Sequence, residues 1–251
     1  MRIAIKFAYD GRNYHGYARQ PSLITVEGEI ISTLIKNRYI KDIKEANIRS
    51  ASRTDKGVSA LCNVIVFNTK KHIKYILQKI SNDCKDIIFY GIKKLDFDFN
   101  PRHANLRHYR YYLTKEDHGI EEIISNAAFF TGEHDFSNFA RIEDDKNPVR
   151  ELHNIVLSED KDFLILDFYA KNFLWQQIRR IVSSLDKVAK GKLKKEQIRN
   201  ALNQPWDKVD FGLASAEPLF LKNIIYNFDF RQDQKLLRKA KIMEKKIISS
   251  F

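Results

Sequence analysis

Within the stretch SASRTDKGVSALCNVIVF, Arg53, Asp55 and Lys56 hold one carboxylate between two cations, directly ahead of an apolar run that reads as a strand. An ionised carboxylate fixed in a turn can serve as a nucleophile, as a base, or as the counter-charge to a cation forming in a substrate. Thr54-Asp55-Lys56-Gly57 is also ordinary turn chemistry, because Asp tolerates tight backbone angles and Gly57 supplies a positive φ without a Cβ clash. Taken alone, the tetrapeptide is a solvated hairpin tip, so the choice between tip and reactive site rests on the rest of the chain.

The elements that must carry this loop sit in a chain of 251 residues, a length that suits one or two domains sharing a substantial core. Hydrophobic residues make up 43%, which is enough for a globular fold. Lys and Arg number 44 against 32 Asp and Glu, a net charge of +12 that suits a polyanionic partner. Cys62 and Cys84 have no CxxC spacing and no His partner at ligand spacing, so neither a disulfide framework nor a metal site follows from them. The opening MRIAIKFAYDG lacks the long apolar stretch of a signal peptide, no run reaches the length of a membrane span, and a reducing cytoplasm is the expected location.

Ile3, Ile5 and Phe7 alternate with Arg2, Ala4 and Lys6, which predicts a half-buried strand leading into the turn YDGRNYHG. Thr25 caps a helix in which Val26, Ile30, Leu34 and Ile35 share a face. Leu61 to Phe67 is a strand, Ile73, Ile76, Leu77 and Ile80 mark a second helix, and Ile87 to Ile92 is an apolar run. Pro101 then interrupts regular structure, which sets the expected boundary between halves at 1–101 and 102–251. In the second half HYRYYLT, ELHNIVLS and DFLILDFYA read as strands and NIIYNFDF as a closing strand. From Leu174, the residues Ile178, Ile181, Leu185 and Val188 recur at helical spacing, and the basic chain end with Leu236, Leu237, Ile242 and Ile247 reads as a last helix. On the strand RHYRYYL the two-residue period puts Arg107, Tyr109, Tyr111 and Leu113 on one side, and aromatics alternating with basic residues suit base stacking beside phosphates.

SRTDKGVSAL closely resembles the signature loop of the tRNA pseudouridine synthase A family, in its archaeal and eukaryotic form. YDGRNYHGYARQP with TVEGEI, RHYRYYL, and NFLWQQIRRIV are similar to further motifs of that family in the same order, from about Ile3 to about Tyr226. The resemblance implies an isomerase without cofactor or metal that detaches uracil from its ribose in tRNA, turns it, and rejoins it through carbon, in the anticodon stem-loop. The implied fold is α+β, with two ferredoxin-like halves whose antiparallel sheets meet around a central basic cleft, and the implied assembly is a homodimer.

By that resemblance Asp55 is the essential carboxylate. Breaking a glycosidic bond builds positive charge at C1′, which an ionised Asp can stabilise, trap as an adduct, or relieve by taking the C2′ proton. A buried carboxylate needs a fixed cation to stay charged, and the family pattern maps that cation to Arg179, on a helix face shared with Trp175 and Val182. Arg180 reads as a solvated neighbour, and Asp10 as a turn residue rather than a second acid. Tyr109 matches the tyrosine that packs on the target uracil, and Tyr111 reads as core. Arg53 matches the arginine that fills the gap left by a flipped nucleotide, with a plain phosphate contact as the alternative. Ser59 stands where the family commonly has His, and GLASAEPLFL, with Ser215 and Pro218, departs from the usual pattern beside the uracil pocket. A non-catalytic RNA-binding protein, or a synthase acting on other RNA sites, would share the charge and the aromatic strand.

Overall fold

The computed structural model describes residues 1–115, 120–144 and 146–251. In chain order the elements begin β1 (Arg2–Tyr9), α1 (Val26–Lys36), α2 (Ile43–Ala46), β2 (Arg49–Ser50), β3 (Ser59–Asn68), α3 (Ile76–Asp83), β4 (Ile87–Leu95) and β5 (Leu106–Thr114). They continue with α4 (Ile120–Ala127), β6 (Gly132–Asp135), β7 (Val149–Glu159), β8 (Phe163–Ala170), α5 (Gln177–Ala189), α6 (Lys195–Asn203), β9 (Leu219–Ile225), β10 (Arg231–Gln232) and α7 (Gln234–Ile248).

Two compact units result, one of Met1–Asn105 with Phe220–Phe251 and one of Leu106–Leu219. Each mixes helices with a mostly antiparallel sheet. In the first, β10, β4, β1, β3 and β9 pair in that order, β2 adds to β3, and only the β3–β9 pair is parallel. In the second, β5, β8, β7 and β6 pair in that order, all antiparallel.

The expected boundary of 1–101 and 102–251 differs from these units in two respects, the first being that the break falls between Asn105 and Leu106. The closing segment returns to the first unit, where β9 pairs with β3, β10 pairs with β4, α7 packs on β4, and the Tyr226 hydroxyl donates to the Pro101 carbonyl at 2.6 Å. A long-range return of this kind leaves no mark in local hydrophobic period.

The same return corrects the reading of β1, which is buried on both faces rather than one. Ile3, Ile5 and Phe7 are fully buried, and on the opposite face the Lys6 stem runs under Phe230, with its ammonium 4.9 Å from the ring centroid. Thr25 caps α1 as expected, its Oγ1 accepting from Gly28 N, but Ile35 is exposed while Ile31 and Thr33 are buried. Cys62 and Cys84 are buried free thiols.

In the second unit the helix begins at Gln177 rather than Leu174, because Gln176 adopts φ 63 and breaks the run. Trp175 therefore lies outside the helix and does not share a helical face with Arg179. Ile178, Ile181, Leu185 and Val188 form its buried stripe, as their spacing predicts. The closing strand starts at Leu219, earlier than NIIYNFDF suggested, and among its downstream aromatics Tyr226 and Phe228 stack at 5.2 Å.

Candidate active site

Asp55 sits in the turn between Ser50 and Ser59, half-buried, with exposed Arg53 and Lys56 on either side. Gly57 has φ +86, the conformation its type favours. The turn is fastened from below. Tyr17 N donates to Thr54 O at 3.0 Å, the Tyr9 hydroxyl and Thr54 Oγ1 lie 2.8 Å apart, and Asn63 Nδ2 donates to Ser52 O at 2.9 Å. Val58 N closes the turn on Asp55 O at 3.2 Å.

The glycines of YDGRNYHGY explain why that motif must precede the loop. Gly16 has φ +92, and a Cβ there would lie 3.3 Å from Lys56 N. Gly11 N donates to Ser59 Oγ at 3.0 Å, so the serine standing where His was expected has a defined partner and is fully buried. Asp10 is structural, as its turn context suggested: it accepts from Arg12 N and forms a two-pronged ion pair with the Arg12 guanidinium.

A second set of bonds anchors the strand entering the turn. The Tyr17 hydroxyl donates to Ser50 Oγ at 2.7 Å, which donates to Glu27 Oε1 at 3.0 Å. Burial, with the nearby Glu27 charge adding, pushes the Tyr17 pKa well above its usual value, so it stays a neutral donor. Sequence reading did not find this relay. Its only mark was a tyrosine and a glutamate flanking the Thr25 cap.

In the second unit Arg179 lies on the first turn of α5 and clasps the loop after α6. Its Nε donates to Ala214 O at 2.8 Å, while Ala214 N donates to Arg179 O at 3.2 Å. Ser183 Oγ and Lys187 Nζ both donate to Phe211 O at 2.8 Å, and Arg180 pairs with exposed Asp210 at 2.9 Å. Arg180 is thus tethered rather than freely solvated, and its Nε is buried without a partner. The unusual GLASAEPLFL segment is this loop, and it is held on its other side by the Tyr111 hydroxyl, which donates to Ser215 O at 3.2 Å. Burial raises the Tyr111 pKa to about 12 against the opposing positive charge of Arg179.

Tyr109 projects from β5 and is 8% exposed, with its ring edge-on to Phe173 at 5.2 Å. Tyr111 is core, at 3% exposed. On the opposite side of the strand, Asp167 of β8 takes a two-pronged bond from Arg110, 2.8 Å at each oxygen, and another from His108. Desolvation would raise the Asp167 pKa, but these bonds outweigh it and hold the carboxyl below its ordinary value. Sequence reading missed this cluster, although an acid inside the apolar run LILDFYA called for a buried partner.

Asp55 and Arg53 therefore belong to the first unit, and Tyr109 and Arg179 to the second. Among the described residues no three His, Cys, Asp or Glu side chains converge as a metal site requires, and no helix is long and apolar enough to cross a membrane.

Comparison with known proteins decides the family. This chain is 42% identical over 219 residues to tRNA pseudouridine synthase A of Thermococcus sibiricus, covering 87% of this chain and 81% of that protein. The chain belongs to the tRNA pseudouridine synthase A family. It is an isomerase of the pseudouridine-forming kind. The protein of the same name from Thermococcus onnurineus is 39% identical over 244 residues, covering 96% of this chain and 91% of that protein. The one from Pyrococcus furiosus is 37% identical over 256 residues, covering 100% and 92%. A family model described as tRNA pseudouridine synthase matches residues 127–227, the stretch that holds the Arg179 helix and the loop clasped to it. Among solved structures, a chain of the archaeal box H/ACA sRNP Nop10-Cbf5 complex is similar at TM-score 0.33 and 11% identity, over 71% of this chain and 44% of that one.

Proposed function

We propose that this chain isomerises uridine to pseudouridine in the anticodon stem-loop of tRNA, with Asp55 as the reacting carboxylate. The observation that carries the reading is the bracing of the Asp55 turn: Tyr9, Tyr17, Gly11 and Gly16 fix its backbone from beneath while its charged side chains remain at the surface. A mere hairpin tip has no need of such preorganisation, whereas a group that must meet charge at one carbon does.

In this reading the N1–C1′ bond breaks, the uracil turns, C5 bonds to C1′, the C5 proton leaves, and N1 gains a proton. The substrate and product are isomers, so no oxidant, reductant or cofactor enters the balance. Asp55 meets the positive charge at C1′ or takes the C2′ proton. Arg179, whose position is fixed by its bonds to Ala214, serves as the counter-cation to that carboxylate. Tyr109 packs on the uracil, and Arg53 occupies the space the flipped nucleotide vacates. The two units act as ferredoxin-like halves, and the working form is a cytoplasmic homodimer; these readings rest on the family resemblance.

The test is release of tritium from tRNA labelled at C5 of uridine, with purified enzyme and nothing added. Wild type should release it from anticodon stem-loop uridines. Asp55→Asn should release none while binding tRNA within about tenfold of wild type, because the carboxylate serves the transition state and few of the phosphates. Turnover by the Asn variant above about one hundredth of wild type would remove Asp55 from the reaction.

A further inference from the structure

Arg179, Ser183 and Lys187 recur every four residues along α5, so one side of the helix carries three donors in a row. All three serve a single segment of the second unit. Lys187 Nζ and Ser183 Oγ each donate to Phe211 O at 2.8 Å, and Arg179 Nε donates to Ala214 O at 2.8 Å. Residues 208–215 form neither helix nor strand, so their backbone groups have no ladder to join, and side chains of α5 take its place.

The segment is shaped to be held there. The Phe211 ring is 2% exposed and stacks on Phe139 at 4.8 Å with the planes 10° apart. Gly212 has φ +79, and a Cβ on it would lie 3.1 Å from Lys187 Nζ and 3.3 Å from Ser183 Oγ, so both the turn and the two donors call for glycine. The Gly212 N–H donates to Asp210 Oδ1 at 2.9 Å. A carbonyl oxygen has two lone pairs, and Phe211 O meets a donor at each, one of them charged. Lys187 is half-buried and gives up much of the freedom of its four-carbon stem to reach a neutral carbonyl, a cost that fixing the segment must offset.

Lys187 is eight residues from Arg179, about 12 Å along the helix, so the two communicate through the loop rather than by contact. Three residues of chain, at most about 10 Å, separate Phe211 from Ala214. A shift of the Phe211 carbonyl therefore carries the Ala214 carbonyl with it, and that carbonyl is the acceptor for Arg179 Nε. Because a guanidinium is planar, the bond at Nε sets the plane in which its two terminal nitrogens lie.

We infer that Lys187, assisted by Ser183, is a positioning residue for Arg179: it holds Phe211 O so that Ala214 O keeps the guanidinium in its working direction. The inference rests on the role given to Arg179 above.

The experiment is a rate cycle read as single-turnover tritium release at saturating tRNA, with tRNA affinity and melting temperature measured on every variant. Lys187→Met keeps the stem, removes the donor, and should slow the bound complex by about tenfold. Its affinity for tRNA should stay within about twofold, because no phosphate contact is lost. Lys187→Arg retains a charged donor and should recover at least about half of the wild-type rate. Lys190→Met removes a cation from the same helix, breaking its pair with Asp186, and should leave the rate within about twofold. In the Arg179→Lys enzyme, which has no Nε to bond Ala214 O, Lys187→Met should cost less than about twofold more, because the group it positions is gone. A further tenfold loss on that background, or a wild-type rate in Lys187→Met, would overturn the inference. A loss confined to affinity would overturn it too, making Lys187 an RNA contact. Failure of the proposed function looks different: wild type would release no tritium from any uridine. The hold is then read by hydrogen exchange at the Ala214 N–H, which bonds Arg179 O and should exchange about tenfold faster in Lys187→Met while the α5 interior is unchanged. Unchanged exchange at Ala214 would show that Lys187 does not hold the loop.

Discussion

Gly11 passes so close beneath Val58 that a Cβ on it would stand 2.0 Å from the Val58 carbonyl oxygen. The Val58 N–H in turn closes the Asp55 turn. A methyl group at residue 11 must therefore push the backbone that presents the carboxylate.

Gly11→Ala should cost about 2 kcal/mol of stability, in the range of overpacking a site that cannot yield. Its effect on turnover should be larger, about a hundredfold, because a displacement near 1 Å at a reacting group costs about that much. Thermal unfolding and single-turnover tritium release measure the two. Equal small losses in both would show that the turn relaxes without harm.

The Gly11 contact also shows which features were legible in the sequence. The Asp55 turn, the Thr25 cap and the α5 stripe were readable because each depends on a few adjacent residues or on one helical period. The half-buried reading of β1 failed because distant segments cover its second face: Phe230 lies over Lys6, and Asn47, Asn68 and Phe99 take the hydrogen bonds of buried Arg2. The extra length given to α5 had a local cause that residue type hides: Gln176 sits at φ 63, a region a sequence assigns to glycine or asparagine. The roles of Gly11 and Gly16 became visible only when the chain passing over them was known.

Asp167 tests how firmly β5 is held. Asp167→Asn leaves Arg110 and His108 without their carboxylate and should destabilise the protein by about 2 kcal/mol at neutral pH. The Asp167 pKa is lowered in the folded state, so its stabilisation is present above the ordinary aspartate value and is lost as pH falls through the folded one. The gap in melting temperature between wild type and Asp167→Asn should accordingly be constant above about pH 5 and close below about pH 4. A gap that stayed constant to lower pH would assign the loss to packing.

Arg179 and Arg180 are neighbours with opposite expectations. Arg179→Ala removes the Nε bond to Ala214 O and should abolish most activity, while Arg179→Lys should recover only part because an ammonium cannot present a fork. Arg180→Ala breaks an ion pair with an exposed Asp210 and should cost no more than about 1 kcal/mol of stability. Single-turnover rates for all three settle the register, and a damaging Arg180→Ala beside a benign Arg179→Ala would move the functional cation by one residue.

Tyr109 has a packing role and a proposed uracil role, and two substitutions separate them. Tyr109→Phe keeps the ring edge-on to Phe173 and should fold normally. If the ring stacks on the base and the hydroxyl assists proton transfer, the Phe variant should bind tRNA like wild type and lose rate at saturating RNA. Tyr109→Ala removes the ring as well. It should lower the bound-complex rate further without changing the salt slope of binding, which scales with phosphate contacts and not with stacking. Loss of stability from the emptied space is expected at about 3 kcal/mol, so melting temperature is measured beside the rates and the assay is run well below it. A folded Tyr109→Ala enzyme with a normal single-turnover rate would leave Tyr109 as part of the Phe173 contact alone.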